Sequence, residues 1–206
     1  CYLYSGMADV ARETGDEALA AACRALFENI AHRRMYITGG VGSTREGEAF
    51  PFDYDLPNET AYAESCAAIS LAMFARRMSL IEPDGLYADV AERIMYNNFL
   101  SSVSLDGRSV YPLETVYPET RRSEVFDCSC CPPNVVRFLA SIADYLYTYE
   151  DTCLYIHQFM AGRTAFSMGG AAVCVTQETT YPLDGTVRIS LQGMKGKSAA
   201  VRIPGW

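Results

Sequence analysis

The feature that most limits the fold of this chain is a change of period near residue 150. Before it, apolar residues recur at helical spacing; after it, they alternate in short runs. Ala18, Cys23, Leu26, Phe27 and Ile30 form a stripe after the Gly15-Asp16 break, predicting a helix to about Arg34. A second helix is expected from about Cys66 to Met78, rich in Ala, Leu and Met. Residues 84–102 predict a third, opened by Asp84, with Val90, Ile94 and Phe99 inward. A fourth starts at Pro132-Pro133 and carries Val135, Val136, Leu139, Ile142 and Leu146. From Asp151 the runs are Leu154 to Phe159, Ala171 to Gln177, Val187 to Leu191 and Ala200 to Ile203, separated by glycine-containing turns. The chain therefore reads as a mainly α-helical domain over 1–150, followed over 151–206 by the beginning of an antiparallel β-domain, a sandwich. A helical-hairpin rhythm in the first part suits an α-toroid built from helix pairs.

Two long connections interrupt the helices, at 35–62 and 103–130. Structureless loops of that length in a compact domain are usually functional. Their chemistry is not that of a nucleic-acid or anionic-membrane partner. The formal charge of the 206 residues is −8, and the densest basic runs are only Arg33-Arg34 and Arg121-Arg122. No apolar run approaches the roughly 18 to 20 residues that span a bilayer. The chain starts at Cys1 within an amphipathic segment and has no initiator Met, so it is expected to be a fragment. A cytoplasmic location is expected, and a homo-oligomer is compatible with the composition.

The eight cysteines could signal disulfides. However, Cys128, Cys130 and Cys131 crowd into four positions, which suits a metal site in a reducing compartment better than a bridged framework. The sharpest constellation pairs this cluster, followed by Pro132-Pro133-Asn134, with Glu64-Ser65-Cys66 upstream. Glu64 and Cys66, two residues apart, would diverge by about 200° on a regular helix. In a pre-helical turn both can reach one metal. Pro132 suits a first-turn position, so both cysteine groups fall at helix N-termini, where the macrodipole lowers thiol pKa values. Three thiolates and one carboxylate would complete a tetrahedral site for zinc (Zn2+). The competing reading is ordinary buried thiols, and it is the better one for Cys23, Cys153 and Cys174.

The second constellation is the glycine-rich run Thr38-Gly39-Gly40-Val41-Gly42, followed by Glu46 and Glu48. It lacks the GK[ST] or GxGxxG of a phosphate cradle. Its glycines let the chain turn sharply and bring Glu46 or Glu48 into a cleft; solvated surface glutamates are the plain alternative. A glutamate beside a thiolate offers the proton donor and the nucleophile that retaining glycosidic cleavage needs.

At these residues the sequence resembles glycoside hydrolase family 127, the β-L-arabinofuranosidases. The resemblance runs through YITGGVGS at 36–43, GEAF at 47–50, NETAYAESC at 58–66, ERIMYNN at 92–98 and CSCCPPN at 128–134, and reaches YPLDG at 181–185 and RIPGW at 202–206. It implies Glu48 as general acid/base and Cys130 as nucleophile. It implies Glu64, Cys66, Cys130 and Cys131 as zinc ligands, with Glu92 and Tyr111 contacting a carbohydrate substrate, an arabinofuranosyl glycoside. The implied fold is the second half of an (α/α)6 barrel followed by the start of a β-sandwich. Substrate-binding histidines of the family would lie upstream; His32 and His157 do not replace them and read as structural. Two rivals remain at this stage: a carbohydrate-binding module in which zinc only clamps two helix ends, and a thiol redox protein. The second lacks both a CxxC and a βαβ context.

Overall fold

Each helix expected from apolar spacing forms, and two open on the acidic caps the sequence offers. In the computed structural model, residues 1–108 and 130–206 are described; Tyr111 and Cys128 lie outside them. The chain divides into two units, Cys1–Ala140 and Ser141–Trp206.

The first unit contains α1 (Tyr2–Thr14), α2 (Glu17–Arg33), α3 (Ser65–Ser79), α4 (Gly85–Arg93), the short α5 (Leu100–Ser102) and α6 (Cys131–Ala140). The Asp16 carboxylate accepts from the Leu19 N–H at the start of α2, and that of Asp84 from the Leu86 N–H at the start of α4. Helix α3 is the axis of this unit. Small residues let neighbours approach it on several sides, so Ala68, Ile69, Leu71, Ala72, Phe74, Ala75 and Met78 are all fully buried. An aromatic cluster fixes its far end: Phe27 of α2 packs edge-on against Phe74 of α3 at 5.3 Å and against Tyr87 of α4 at 4.8 Å. Truncating one such ring to alanine typically costs about 3 to 5 kcal/mol. The ion pairs Arg77–Asp9 (2.7 Å) and Arg24–Glu82 (2.8 Å) lie partly exposed, and set the orientation of helices more than their stability.

The helix over 84–102 is not uniform. Residues Ile94–Phe99 between α4 and α5 form a π-turn, the kind of wide turn often found near functional sites. Here the Asn98 N–H donates to the Thr38 carbonyl at 3.2 Å, outside the helix. The glycine loop thus packs onto the π-turn. Gly39 has φ +91°, and a Cβ there would lie 2.8 Å from Ile94 Cγ1 and 3.1 Å from the Ile94 backbone. Both the left-handed conformation and the close approach require glycine.

The second unit departs from the sequence reading in three places. Ile142 and Leu146 were both expected on the fourth helix, but α6 ends at Ala140 and is followed by a 3₁₀ turn, Ile142–Tyr145, and a strand β1, Tyr147–Tyr149. Residues 141–150, assigned from the sequence to the helical part, therefore belong to the second unit. The remaining strands are β2 (Cys153–Ile156), β3 (Gly162–Met168), β4 (Ala171–Thr179), β5 (Val187–Gln192) and β6 (Ser198–Val201). Strands β1 and β3 were missed, because β1 is only three residues long and β3 alternates weakly, with small and polar residues at most positions. The pairs β1–β2, β3–β4 and β4–β5 are antiparallel as expected, whereas β2 and β6 are parallel. Leu154 and Ile156 of one three-stranded sheet join Met168, Val173 and Val175 of the other in one buried cluster.

Cys23 is fully buried, as expected of a packing thiol, but Cys153 and Cys174 are only half-buried. The seven described cysteines are all free. His32 sits exposed in the last turn of α2. His157 is buried, with Nε2 2.7 Å from the Thr148 hydroxyl. No helix of the described residues is long and apolar enough to cross a membrane.

Two predictions come from this packing. Gly39→Ala adds a left-handed strain and a contact with Ile94 backbone, and should lower unfolding stability by about 1 to 3 kcal/mol, read from the denaturant midpoint. Burial, then Arg202, lowers the His157 pKa from 6.5 to about 4. Between those values the unfolded chain binds the extra proton. The neutral imidazole's contribution is therefore complete above pH 6.5 and is lost as pH falls toward 4, by up to about 3 kcal/mol. Denaturation from pH 7 to 4 should show this component in the wild type and not in His157→Gln.

Candidate functional site

The N-termini of α3 and α6 meet, and they bring the separated cysteines together. Glu64 is the N-cap of α3 with φ −57° and ψ 145°, off the helix, while Cys66 lies in the first turn. Cys131 is the first residue of α6, Cys130 immediately precedes it, and Pro132 and Pro133 occupy the opening turn, where an N–H is not needed. The sulfurs of Cys66, Cys130 and Cys131 all lie within 4.8 Å of one another. Cys66 donates to Cys131 at 3.0 Å, and Cys130 and Cys131 are 3.7 Å apart. Two thiolates on one tetrahedral zinc stand roughly 3.8 Å apart, given Zn–S bonds of about 2.3 Å. The donor set is soft and converging, and the Cys130–Cys131 separation matches that spacing, whereas Cys66 and Cys131 lie closer than two ligands of one such ion.

Glu64 does not join that group of three, but it lines the same cavity. Its carboxylate leaves the α3 amides uncapped and accepts instead from the Tyr62 hydroxyl at 3.2 Å. The same hydroxyl lies 3.1 Å from the Glu48 carboxylate. Tyr62 is thus a bridge between the two carboxylates, and was not singled out from the sequence, although it lies inside NETAYAESC. Asn134 closes the cysteine run singled out in the sequence but carries no role there; its Nδ2 donates to Cys66 Sγ at 3.2 Å.

Backbone strain delivers these groups. Glu48 has φ 47° and Ala63 has φ 35°, both in the left-handed region that non-glycine residues avoid. Ala63 is held there by its N–H to the Gly42 carbonyl (2.8 Å), and Tyr62 by its N–H to the Ser43 carbonyl (3.2 Å). The glycine loop therefore docks directly against the segment leading into α3. It carries Glu48 into a cavity of about 310 Å³ also lined by Tyr62, Glu64, Cys66, Cys130 and Asn134. Glu46 is not among the lining residues. Neither is Glu92, which is buried on α4.

The electrostatics are dominated by crowded negative groups. The hydrogen bond from Cys66 lowers the Cys131 pKa to about 6, and raises that of Cys66 itself. Burial, with Cys131 and Glu64 nearby, pushes Cys130 up to about 11. Burial and the charge of Cys131 raise Glu64 as well, and burial with both carboxylates keeps Tyr62 protonated as a donor. Of the three thiols, Cys131 alone is shifted toward its thiolate. A divalent cation is what would ionise all three. Exposure separates the three: Cys66 and Cys131 are buried, whereas Cys130 is half-buried and borders the cavity.

Residues 3–144 match the profile of the β-L-arabinofuranosidase GH127 catalytic domain. Over its whole length the chain is 40% identical to a non-reducing end β-L-arabinofuranosidase of Bifidobacterium longum subsp. longum, of which it covers 34%. Among solved structures it is similar to a GH127 β-L-arabinofuranosidase of Geobacillus stearothermophilus T6, with 43% identity and a TM-score of 0.91, covering 98% of this chain and 34% of that one. A second GH127 β-arabinofuranosidase gives 38% identity and a TM-score of 0.92, covering 99% and 33%. The chain thus spans about a third of the length of these relatives. With residues 3–144 inside the matched catalytic domain, it belongs to glycoside hydrolase family 127.

Proposed function

We propose that this chain carries the catalytic centre of a retaining glycoside hydrolase that releases β-L-arabinofuranose or a related sugar. In this reading Cys130 is the nucleophile and Glu48 the general acid/base. The observation that carries it is the shared cavity: Glu48 and the half-buried Cys130 both border it, while the sulfur partners of Cys130 are buried. Glu64, Cys66, Cys130 and Cys131 would hold a zinc ion, whose positive charge would keep the thiols ionised at neutral pH. The helices of the first unit read as the second half of an (α/α)6 barrel, and the strands as the start of a β-sandwich. Glu92 and Tyr111 are assigned to sugar contact through the family resemblance alone.

The steps balance on the chain's own residues. The Cys130 sulfur attacks the anomeric carbon as Glu48 gives its proton to the departing oxygen, so a C–S bond forms while the C–O bond breaks. Glu48, now a carboxylate, takes a proton from water as the water oxygen attacks the same carbon, and the C–S bond breaks to return the thiolate. Two displacements on one carbon retain its configuration. Tyr62 holds the Glu48 carboxylate by its hydroxyl, on a backbone already strained into position.

Two substitutions in the full-length protein test this reading. Cys130→Ser should abolish turnover while some zinc is retained, and a mechanism-based arabinofuranosyl inhibitor should label the wild-type peptide containing Cys130. A label on Glu64, with Cys130→Ser still active, would leave the thiolates as a structural clamp. Glu48→Gln should slow a natural glycoside by roughly 10² to 10⁴, and an activated aryl glycoside by less in the first step. Wild-type rates on both substrates would remove Glu48 from the mechanism.

A further inference from the structure

The three sulfurs are not equivalent in what touches them, and the difference begins outside the cavity. Cys66 Sγ receives an N–H from Asn134 at 3.2 Å. An amide can face a sulfur with either end, and Arg137 decides which. Its guanidinium has donors only, and Nη2 donates to Asn134 Oδ1 at 2.5 Å, so the NH₂ end must face Cys66. Asn134 and Arg137 are three apart on α6, hence on one face of the helix. Arg137 is itself held from the α1 and α3 sides, with Nη2 3.3 Å from the Tyr2 hydroxyl and 3.6 Å from Met73 Sδ, and the guanidinium 5.7 Å over the Tyr2 ring. Among the described residues no carboxylate pairs with it.

We propose that Asn134 and Arg137 form a positioning relay that withdraws charge from the Cys66 sulfur, holding it as a permanent metal ligand and leaving Cys130 as the reactive thiolate. This rests on the zinc reading above. Three thiolates and one carboxylate carry four negative charges against the two of a zinc ion, and the excess must be spread. An N–H donor placed on a metal-bound thiolate lowers its basicity and nucleophilicity, and the Arg137 charge strengthens that donor by polarising the amide. Cys130 has contact with Cys131 but no such donor among the described residues. The relay therefore marks one of two cavity-lining cysteines as unreactive by hydrogen bonding, where burial alone separates them only partly.

Cobalt(II) exchanged for zinc in the full-length protein gives the readout, since its thiolate-to-cobalt charge-transfer band reports electron density on sulfur independently of turnover. Asn134→Leu should move this band to lower energy and weaken zinc binding by about 10- to 100-fold, the usual effect of losing an outer partner of a ligand. Arg137→Met should shift the band in the same direction by less, Arg137→Lys should restore it, and Arg137→Met should add nothing in the Asn134→Leu background. If Asn134→Leu does not fold, the exposed Arg137 pair of variants decides alone. A normal wild-type band that these variants leave unchanged, with zinc affinity within about twofold, overturns the relay and leaves the metal reading standing. A wild-type protein with no such band overturns the metal reading, and the relay with it.

Discussion

The contact on which the site depends is the meeting of two helix N-termini, α3 and α6, that brings Cys66 within 3.0 Å of Cys131 across 65 residues of sequence. Neither helix could be placed so closely by the sulfurs alone, because crowded thiols repel as soon as they ionise. Apolar packing does that work. α3 is sheathed on several sides, and its aromatic anchor at Phe74 lies about 12 Å along the helix axis from Cys66 at 1.5 Å per residue. Phe138 of α6 is fully buried against Phe99, at the end of the π-turn. The core thus holds the polar cluster in place from below, and the macrodipoles of both helices point their positive ends at it.

A second constraint acts from the loop side. Gly39 lets the loop lie against Ile94, and the pairing of Gly42 and Ser43 with Tyr62 and Ala63 then ties it to the entrance of α3. Residues held in the left-handed region cost on the order of 1 to 3 kcal/mol each. Glu48, which lines the cavity, and Ala63, next to Tyr62 in the chain, both sit there. In the proposed mechanism this strain is pre-organisation: the chain accepts a local cost so that Glu48 need not search for its position.

Much of this was legible in the sequence because it rested on period or on spacing. The helices around Phe27, Ile69 and Val90 follow from apolar recurrence, and Asp16 and Asp84 mark their starts. The convergence of Cys66, Cys130 and Cys131 was readable because Pro132-Pro133 fixes a helix start beside two adjacent thiols, a pattern with few structural uses. The losses have a common cause. The π-turn at Ile94–Phe99 keeps the apolar spacing of an α-helix, so only its external bond from Asn98 to Thr38 reveals it. Strand β1 follows directly on helical residues and is too short to establish a period of two. Asn134 acts on Cys66, 68 residues away, and Tyr62 joins Glu48 to Glu64 only because the glycine loop folds back, so neither side chain carries a spacing signal of its own.

The division of labour proposed for the cysteines is then a matter of environment more than of identity. Cys66, Cys130 and Cys131 are the same side chain at one centre, yet one is hydrogen-bonded by Asn134, one is enclosed at the first position of α6, and one borders open space beside Glu48. A thiolate bound to a cation is a poorer nucleophile than a free one, so an enzyme using such a group must spend as little of its reactivity as it can. With the Asn134 donor on one sulfur and the first turn of α6 enclosing another, Cys130 is the least buried of the three and lines the cavity beside Glu48. In the proposed mechanism the same argument assigns the acid/base to Glu48 on the separate, strained loop and not to Glu64. In that mechanism a carboxylate facing the cation would be held ionised by it, whereas Glu48 meets Glu64 through the Tyr62 hydroxyl that the two share.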